Sequence, residues 1–260
     1  MLDKIYELVR YKELLLNITL RELKVRYKQS ALGIFWAVLQ PLSMTIIFTV
    51  VFSRLVKIPS DGIPYPLFSY AGLLPWTFLA TSLSFAIPSL VSNSNLLTKI
   101  YFPREIFPIA SILAAFVDFL IAAVIFSAVL ILYKVRLTPN IFYIMPLLLI
   151  QTLLILAVSL FASAFNVYYR DVKYALPFVI QLWMYLSPVI YPVSSVPERL
   201  RSIYMLNPMA SVIDGYRRTL LLGRPPDFYY LGLAAVVTLI MLLLSYKYFK
   251  SVETSFADRI

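Results

Sequence analysis

The chain has 260 residues, of which 61% are hydrophobic and 14% charged, with a net charge of +10 and a mean hydropathy of +0.82. Soluble proteins are about 45–50% apolar, so this composition excludes a water-soluble globular domain and predicts an integral membrane protein. The 23 Lys and Arg are scattered between apolar runs and form no single basic face. We interpret them as topology signals and contacts to membrane lipids, and expect no nucleic-acid partner.

Residue types common in catalytic and metal sites are missing from the chain. It has no Cys and no His, which excludes disulfides and thiolate metal sites and removes the commonest metal ligand. It also lacks a GxxxxGK[ST] phosphate-binding loop, a GxSxG elbow and an HExxH zinc motif. We therefore expect no enzymatic activity, no cofactor and no metal on this chain.

Residues 1–28 place apolar side chains at helical spacing, with charged side chains on the other faces. This pattern predicts an amphipathic helix in the plane of the membrane interface, and an ordinary core-packing helix is the alternative. No short apolar region with a cleavage site is present, so no removable signal peptide is expected. The apolar positions are Leu2, Ile5, Tyr6, Val9, Leu16, Leu20, Leu23 and Tyr27.

Residues 29–260 contain six apolar runs, and each is predicted to cross the membrane, because about 20 apolar residues cover the ~30 Å hydrocarbon core. Their approximate ranges are 31–51, 66–90, 107–133, 142–165, 175–190 and 228–246. Six spans place both termini on one side, and the basic N-terminal helix predicts that this side is the cytoplasm. The arginines between the last two spans weaken this orientation; they are Arg199, Arg201, Arg217, Arg218 and Arg224.

The segment 191–227 is too polar to cross the membrane and carries helix signals of its own. Ser195 with Glu198 fits a capping box, and Asn207 followed by Pro208 fits the start of a second helix. Asp214 and Arg218 are spaced for an ion pair one turn apart, and Gly223 fits the end of the helix. Two short re-entrant helices that dip into the outer leaflet are predicted, with a solvated loop as the alternative.

Asp118 is the only acid inside the third predicted span. A carboxylate in this position is costly and is usually functional, so a proton relay is one interpretation. The spans offer no cluster of ionisable partners and no His, which favours the other interpretation, an acid that is hydrogen-bonded or neutral inside the helix bundle.

Two short polar loops, on the side predicted to be cytoplasmic, carry both charge signs beside aromatic residues. They are interpreted either as docking elements for a cytoplasmic partner or as solvated turns with tyrosines at the membrane interface. The candidate residues are Asn95, Lys99, Tyr101, Phe102, Arg104 and Glu105 in one loop, and Tyr169, Arg170 and Asp171 in the other.

Several segments resemble, in order, the signatures of ABC-2 type permeases that export polysaccharide. They are LRELKVRYKQSALGIFWAVLQPL (20–42), LLTKIYFPREIFP (96–108), YYRDVKY (168–174), SPVIYP (187–192) and LNPMASVIDGYRRTLL (206–221). The chain is most similar to the Wzm-type transmembrane subunits of O-antigen exporters, and teichoic-acid exporter permeases are an alternative. From the residues alone, a secondary transporter or channel using Asp118 and a membrane-embedded lipid-modifying enzyme are the competing hypotheses.

The resemblance implies a homodimer in the inner membrane that carries two copies of a separate ATPase subunit, which would hold ATP and Mg. The two polar loops would be coupling helices that contact this ATPase. The segment 191–223 would form an outer gate, with Asn207, Tyr216, Arg217 and Arg218 as candidate residues. The implied cargo is a polysaccharide linked to undecaprenyl pyrophosphate, moved from cytoplasm to periplasm.

Some aromatic and amide residues of spans 1 and 5 are candidates for a path that a sugar polymer follows, with core packing or lipid contact as the alternative. Sugar rings present C–H faces that stack on aromatic rings, and their hydroxyl groups need polar partners. The candidates are Phe35, Trp36 and Gln40 in span 1 and Gln181 and Trp183 in span 5.

Overall fold

The computed structural model describes residues 10–28, 35–97 and 102–259, and this part of the chain is helical without any strand. Its longer helices are α1 (Lys12–Tyr27), α2 (Trp36–Phe48), α3 (Tyr65–Ala86), α4 (Ile106–Leu132), α5 (Ile144–Tyr168), α6 (Val172–Tyr185), α7 (Glu198–Tyr204), α8 (Pro208–Leu220) and α9 (Phe228–Val252). Shorter helical elements lie at Thr49–Leu55, Ser89–Ser92, Ser94–Leu97, Pro139–Tyr143, Val193–Ser195, Glu253–Ser255 and Phe256–Arg259. The predicted all-α fold is confirmed.

Four helical stretches among the described residues are long and apolar enough to cross a membrane. They are Trp36–Leu55, Ile106–Leu132, Pro139–Tyr168 and Phe228–Ser255. They correspond to predicted spans 1, 3, 4 and 6, although residues 31–34 of span 1 lie outside the described residues. The first stretch reaches Leu55 because α2 continues into a π-helical segment, Thr49–Leu55, instead of stopping at residue 51.

The helices of the second and fifth predicted spans, α3 and α6, are not among these four stretches. The six-span count therefore stays a prediction. Helix α3 has 22 residues, of which most are buried inside the bundle. Its polar and small residues, such as Ser69, Gly72 and Ser82, lie inside the bundle. Helix α6 has 14 residues and reaches about 21 Å, which is shorter than the hydrocarbon core.

The fifth span was predicted to continue to residue 190, but α6 ends at Tyr185. Pro188 lacks the N–H that a helix needs and disfavours helical backbone in the residue before it. Residues 187–190 are buried in a non-helical turn. The carbonyl groups of residues 188–190 accept hydrogen bonds from side chains of other helices.

The core surrounds α3, which packs against α4, α5 and α8. Because lipid is as apolar as a leucine side chain, close packing and buried hydrogen bonds hold such a bundle together. The Tyr70 hydroxyl donates to the Ala122 carbonyl at 3.1 Å. The Gln151 side-chain amide donates to the Pro75 carbonyl at 2.8 Å. These bonds join α3 to α4 and α5.

Helix α1 lies along α4 with Ile18 and Thr19 buried, while Leu16, Leu20 and Val25 are exposed. Of the predicted apolar positions, Leu16 and Leu20 are therefore exposed, and the side packed on the bundle carries Ile18 and Thr19 instead. Residues 1–9 of the predicted amphipathic helix lie outside the described residues. Its position in the membrane interface stays a prediction.

The helix signals in 191–227 were right in part. The prediction of a capping box was wrong. Helix α7 begins at Glu198 after Pro197 and has no side-chain cap. Ser195 lies in a preceding 3-10 turn instead. The Asn207 cap is confirmed, since its side chain accepts from the Met209 N–H at 3.1 Å. Gly223, with φ +61°, follows the end of α8 as predicted.

Candidate functional site

A cavity of 180 Å³ lies between α1, α2, α3 and α4. The end of α1 contributes Arg26 and Tyr27, and the start of α2 contributes Trp36 and Gln40. Asp118 enters from the middle of α4. The full lining is Arg26, Tyr27, Trp36, Ala37, Gln40, Pro41, Thr77, Phe78, Thr81, Phe85, Ala115, Asp118, Phe119 and Ala122.

Asp118 is ion-paired at this cavity. Its Oδ2 accepts from Arg26 Nη1 at 2.9 Å, and its Oδ1 accepts from the Tyr27 hydroxyl at 2.5 Å. The Arg26 guanidinium also lies over the Phe85 ring at 3.7 Å from the centroid and donates to the Ser111 carbonyl. The pair therefore anchors the end of α1 to α4, and Asp118 has the internal partners that the sequence favoured over a proton relay.

Sequence reasoning missed the partner of Asp118. In the sequence, Arg26 is one residue of the basic N-terminal helix, which predicts a cytoplasmic N-terminus and no ion pair. It lies 92 positions away from Asp118 along the chain. The available signal was a single acid in an apolar span, which demands a partner, together with an arginine shortly before another span.

The residues proposed to line a sugar path do not form one site within the chain. Trp36 and Gln40 lie on the cavity wall, and Phe35 next to them is 54% exposed. Gln181 is exposed on α6. Trp183 instead lines a separate apolar hollow at the ends of α6, α7 and α8. The proposed path thus has two separate parts within the chain, one at the start of α2 and one at the end of α6.

Asn207 connects the second of these parts to α8. Its Oδ1 accepts from the Trp183 indole N–H at 3.0 Å as well as from the N–H at the start of α8. Its Nδ2 donates to the Leu186 carbonyl at 3.1 Å and to Ser187 Oγ at 2.9 Å. One side chain therefore fixes the start of α8 against the turn that ends α6.

Arg217 is 4% exposed, and its guanidinium is held by backbone carbonyls. It donates to the carbonyls of Phe68, Val189, Pro188 and Tyr191, and it stacks on the Phe68 ring at 3.5 Å. These carbonyls include those that the broken end of α6 leaves free. Arg217 therefore joins α8 to α3 and to the 187–191 turn.

Gly72 leaves the space that this guanidinium needs. A Cβ at this position would lie 2.6 Å from Arg217 Nη2 and 3.0 Å from the Val189 carbonyl oxygen. A real side chain does not tolerate contacts this short. The close passage of α3 past α8 thus depends on a glycine.

The other gate candidates have different surroundings. Tyr216 is 1% exposed in the core, whereas Arg218 is partly exposed and pairs with Asp214 at 2.8 Å, as predicted from their spacing. Burial raises the pKa of Asp214, and the nearby Arg218 opposes this shift. The four predicted gate residues therefore lie on α8 or at its start; Asn207 and Arg218 are partly exposed, whereas Tyr216 and Arg217 are buried.

The first polar loop is tied to the C-terminal tail. Glu105 is 2% exposed, and its Oε2 accepts from Lys250 Nζ at 2.9 Å. Lys250 Nζ also forms an ion pair with the Glu253 carboxylate at 2.8 Å. The backbone carbonyl of Glu253 accepts a hydrogen bond from Arg104 Nη1 at 2.9 Å. These contacts hold residues 104–105 in place.

The loop residues differ in how far they are available to a partner. Phe102 is buried at 4% exposure, while Asn95 is exposed. In the second loop Tyr169 is 60% exposed, and Arg170 and Asp171 are exposed too. Lys99 and Tyr101 lie outside the described residues. The second loop therefore presents the more open candidate surface.

Several apolar helices of membrane-spanning length, with an ion pair and a buried arginine inside the bundle, define a multi-pass α-helical membrane protein. Residues 13–221 match the model of the ABC-2 type transporter family. The chain belongs to this family of membrane transport proteins, which confirms the resemblance drawn from its motifs.

Similar proteins match over nearly the whole chain. The O-antigen export system permease protein RfbA of Myxococcus xanthus is 30% identical over 263 residues, covering 100% of both chains. An O-antigen export system permease protein RfbA of Klebsiella pneumoniae is 28% identical and covers 97% of both. The polysialic acid transport protein KpsM of Escherichia coli is 24% identical, covering 90% of this chain and 91% of the relative.

Proposed function

We propose that the chain is the permease subunit of an ATP-driven exporter that moves lipid-linked O-antigen polysaccharide across the inner membrane. The observation that carries this proposal is the end-to-end similarity to RfbA of Myxococcus xanthus, 30% identical over 100% of both chains. The relatives described above are named for O-antigen and polysialic acid, which supports an O-antigen cargo over teichoic acid. The carrier lipid is proposed to be undecaprenyl pyrophosphate.

The proposal includes a partner, because the chain carries no nucleotide-binding loop. A homodimer would bind two copies of an ATPase subunit, and ATP and Mg would bind to those subunits. The exposed loop residues Tyr169, Arg170 and Asp171, with Asn95 on the other loop, support docking at this end of the bundle. Arg104 and Glu105 would act indirectly, since their side chains already hold the C-terminal tail.

The homodimer is supported by helices whose apolar faces have no partner within the described chain. Helix α6 buries only Ile180, while Phe178, Val179 and Leu182 are exposed. Helix α2 exposes Trp36 and Ile46 in the same way. A second copy packed along α2 and α6 would cover these faces and place Gln40 and Gln181 beside a shared path for the polymer.

The proposed topology has both termini in the cytoplasm and the α7–α8 segment on the periplasmic side. The absence of Cys allows single cysteines to be introduced without background labelling. Asp61→Cys and Leu200→Cys should react with a membrane-impermeant maleimide added outside spheroplasts. Labelling of both only after permeabilisation would contradict this orientation.

Deletion of the gene in its own host tests the function. The deletion strain should lose long-chain O-antigen from the cell surface and accumulate the lipid-linked polymer inside, and the wild-type chain supplied in trans should restore both. Cell-surface immunoblotting and intracellular glycan extraction measure the two pools. Normal surface O-antigen in the deletion strain would overturn the proposal. Loss of a teichoic acid or a capsule polymer instead would reassign the cargo.

A further inference from the structure

A second cavity, of 360 Å³, opens at the other end of the bundle, between α7, α8, the start of α9 and the loop before α3. We name it the arginine pocket. Its charged lining residues are Arg201, Arg217, Arg218, Arg224, Asp61, Asp214 and Asp227. Four arginines face three aspartates, so the lining has a net charge of +1.

The three acids of the arginine pocket already have partners. Asp214 and Asp227 share Arg218, at 2.8 Å and 4.0 Å, and Asp227 also caps α9 by accepting from the Tyr229 N–H at 3.1 Å. Asp61 accepts from Ser194 Oγ at 2.8 Å. These carboxylates therefore leave other arginines of the pocket uncompensated.

Arg201 and Arg224 are the pocket arginines that remain uncompensated, since Arg217 is held by four backbone carbonyls. Within the described residues, neither lies in an ion pair with a carboxylate. Arg201 makes one long bond, from Nη2 to the Val196 carbonyl at 3.4 Å, and its Nε is buried without a partner. Buried N–H groups normally have an acceptor, and an orphaned guanidinium N–H at a cavity wall marks a place for one.

We propose that the arginine pocket binds a phosphate or diphosphate group of a lipid, with Arg201 and Arg224 as its anion ligands. Guanidinium groups present paired N–H donors that match phosphate oxygens. The pocket also has the apolar lining residues Ile63 and Leu222, which suit the first carbons of a lipid chain. The proposal rests on this geometry and is independent of the proposed cargo.

Binding to the full-length protein in detergent tests the site. The probes are farnesyl diphosphate and inorganic pyrophosphate, with farnesol as the uncharged control, measured by isothermal titration calorimetry. The variants are Arg201→Gln, Arg224→Gln and the double variant. The matched control is Arg136→Gln, which changes an exposed arginine that is not part of the pocket lining.

Each pocket variant should weaken diphosphate binding by about ten- to a hundredfold, which is typical of losing a charge-assisted hydrogen bond. Arg136→Gln should bind like the wild type, and farnesol should not bind at the same site. Equal affinity of the wild type and the double variant would overturn the proposal, as would an equal loss in Arg136→Gln. Because Arg224 is exposed, Arg224→Gln and Arg224→Glu should fold and keep the test valid if Arg201→Gln does not.

Nanodiscs of different lipid composition distinguish two lipids that could supply the phosphate group, a diphosphate carrier lipid and a membrane phospholipid. If farnesyl diphosphate binds equally well in phosphatidylcholine and phosphatidylglycerol discs, the pocket selects a diphosphate carrier. If phosphatidylglycerol competes with the probe, and does so only while Arg201 and Arg224 are present, a membrane phospholipid head group is the ligand. Absence of binding in both kinds of disc would overturn the site. None of these results depends on whether gene deletion affects O-antigen export.

Discussion

Replacing Asp118 by Ala should detach α1 from the bundle. The side chains of Arg26 and Asp118 are only 7% and 16% exposed, so the pair belongs with buried ion pairs, and not with surface pairs of about 0–1 kcal/mol. Removing one partner of a buried pair costs about 3–5 kcal/mol, because the other charge is left uncompensated. The variant also deprives the Tyr27 hydroxyl of its acceptor.

The structure places the expected cost at the lower end of this range. The pair borders the 180 Å³ cavity, which is large and polar enough to admit water that partly solvates Arg26. About 3 kcal/mol shifts the docking equilibrium of α1 by roughly two orders of magnitude. A double variant, Arg26→Met with Asp118→Leu, should recover most of the loss, since apolar replacements of buried pairs are often neutral or stabilising.

Hydrogen exchange of the protein in detergent measures this effect. Peptides from residues 12–27 should exchange faster in Asp118→Ala, while peptides from α5 and α9 should keep the wild-type rate. Asp61→Ala, at an exposed acid of the same chain, is the matched control and should leave α1 unchanged. If Asp118→Ala and the wild type show equal exchange in α1, the ion pair does not hold this helix and the reasoning fails.

Three further experiments test separate features. Gly72→Ala puts a methyl group into the space of the Arg217 guanidinium and should lower the free energy of unfolding by about 1–3 kcal/mol. The control, Gly232→Ala, has no atom within 4 Å of the new Cβ and should leave this free energy unchanged or raise it by up to about 1 kcal/mol. Thermal unfolding measures both effects. Trp36→Ala should reduce surface O-antigen severalfold while the proposed second copy and the proposed ATPase still co-purify with the chain; unchanged export would remove this residue from the proposed path. Charge reversal at Arg170 together with Asp171 should release the ATPase in pull-downs with little change in melting temperature, and full retention would leave that loop a solvated turn.

Local sequence patterns predicted the features that depend on neighbouring residues. Long apolar runs predicted α4, α5 and α9, because crossing a membrane requires length and apolarity within one segment. Asn207 was recognised as a cap and Asp214 with Arg218 as a pair, because each interaction closes within a helical turn. The apolar runs did not predict that protein surrounds α3. They also did not predict that α6 ends at Tyr185 after only 14 residues.

The amino-acid sequence by itself determined the class of the protein, a helical membrane protein with a charged N-terminal helix, and through its motifs the ABC-2 family. The tertiary structure alone decided which polar groups meet. Arg26 reaches Asp118 across 92 residues, Lys250 reaches Glu105 across 145, and Arg217 reaches the Phe68 carbonyl across 149. Such partners are set by the packing of distant helices, and in an apolar bundle each buried charge is stable only where that packing supplies its partner.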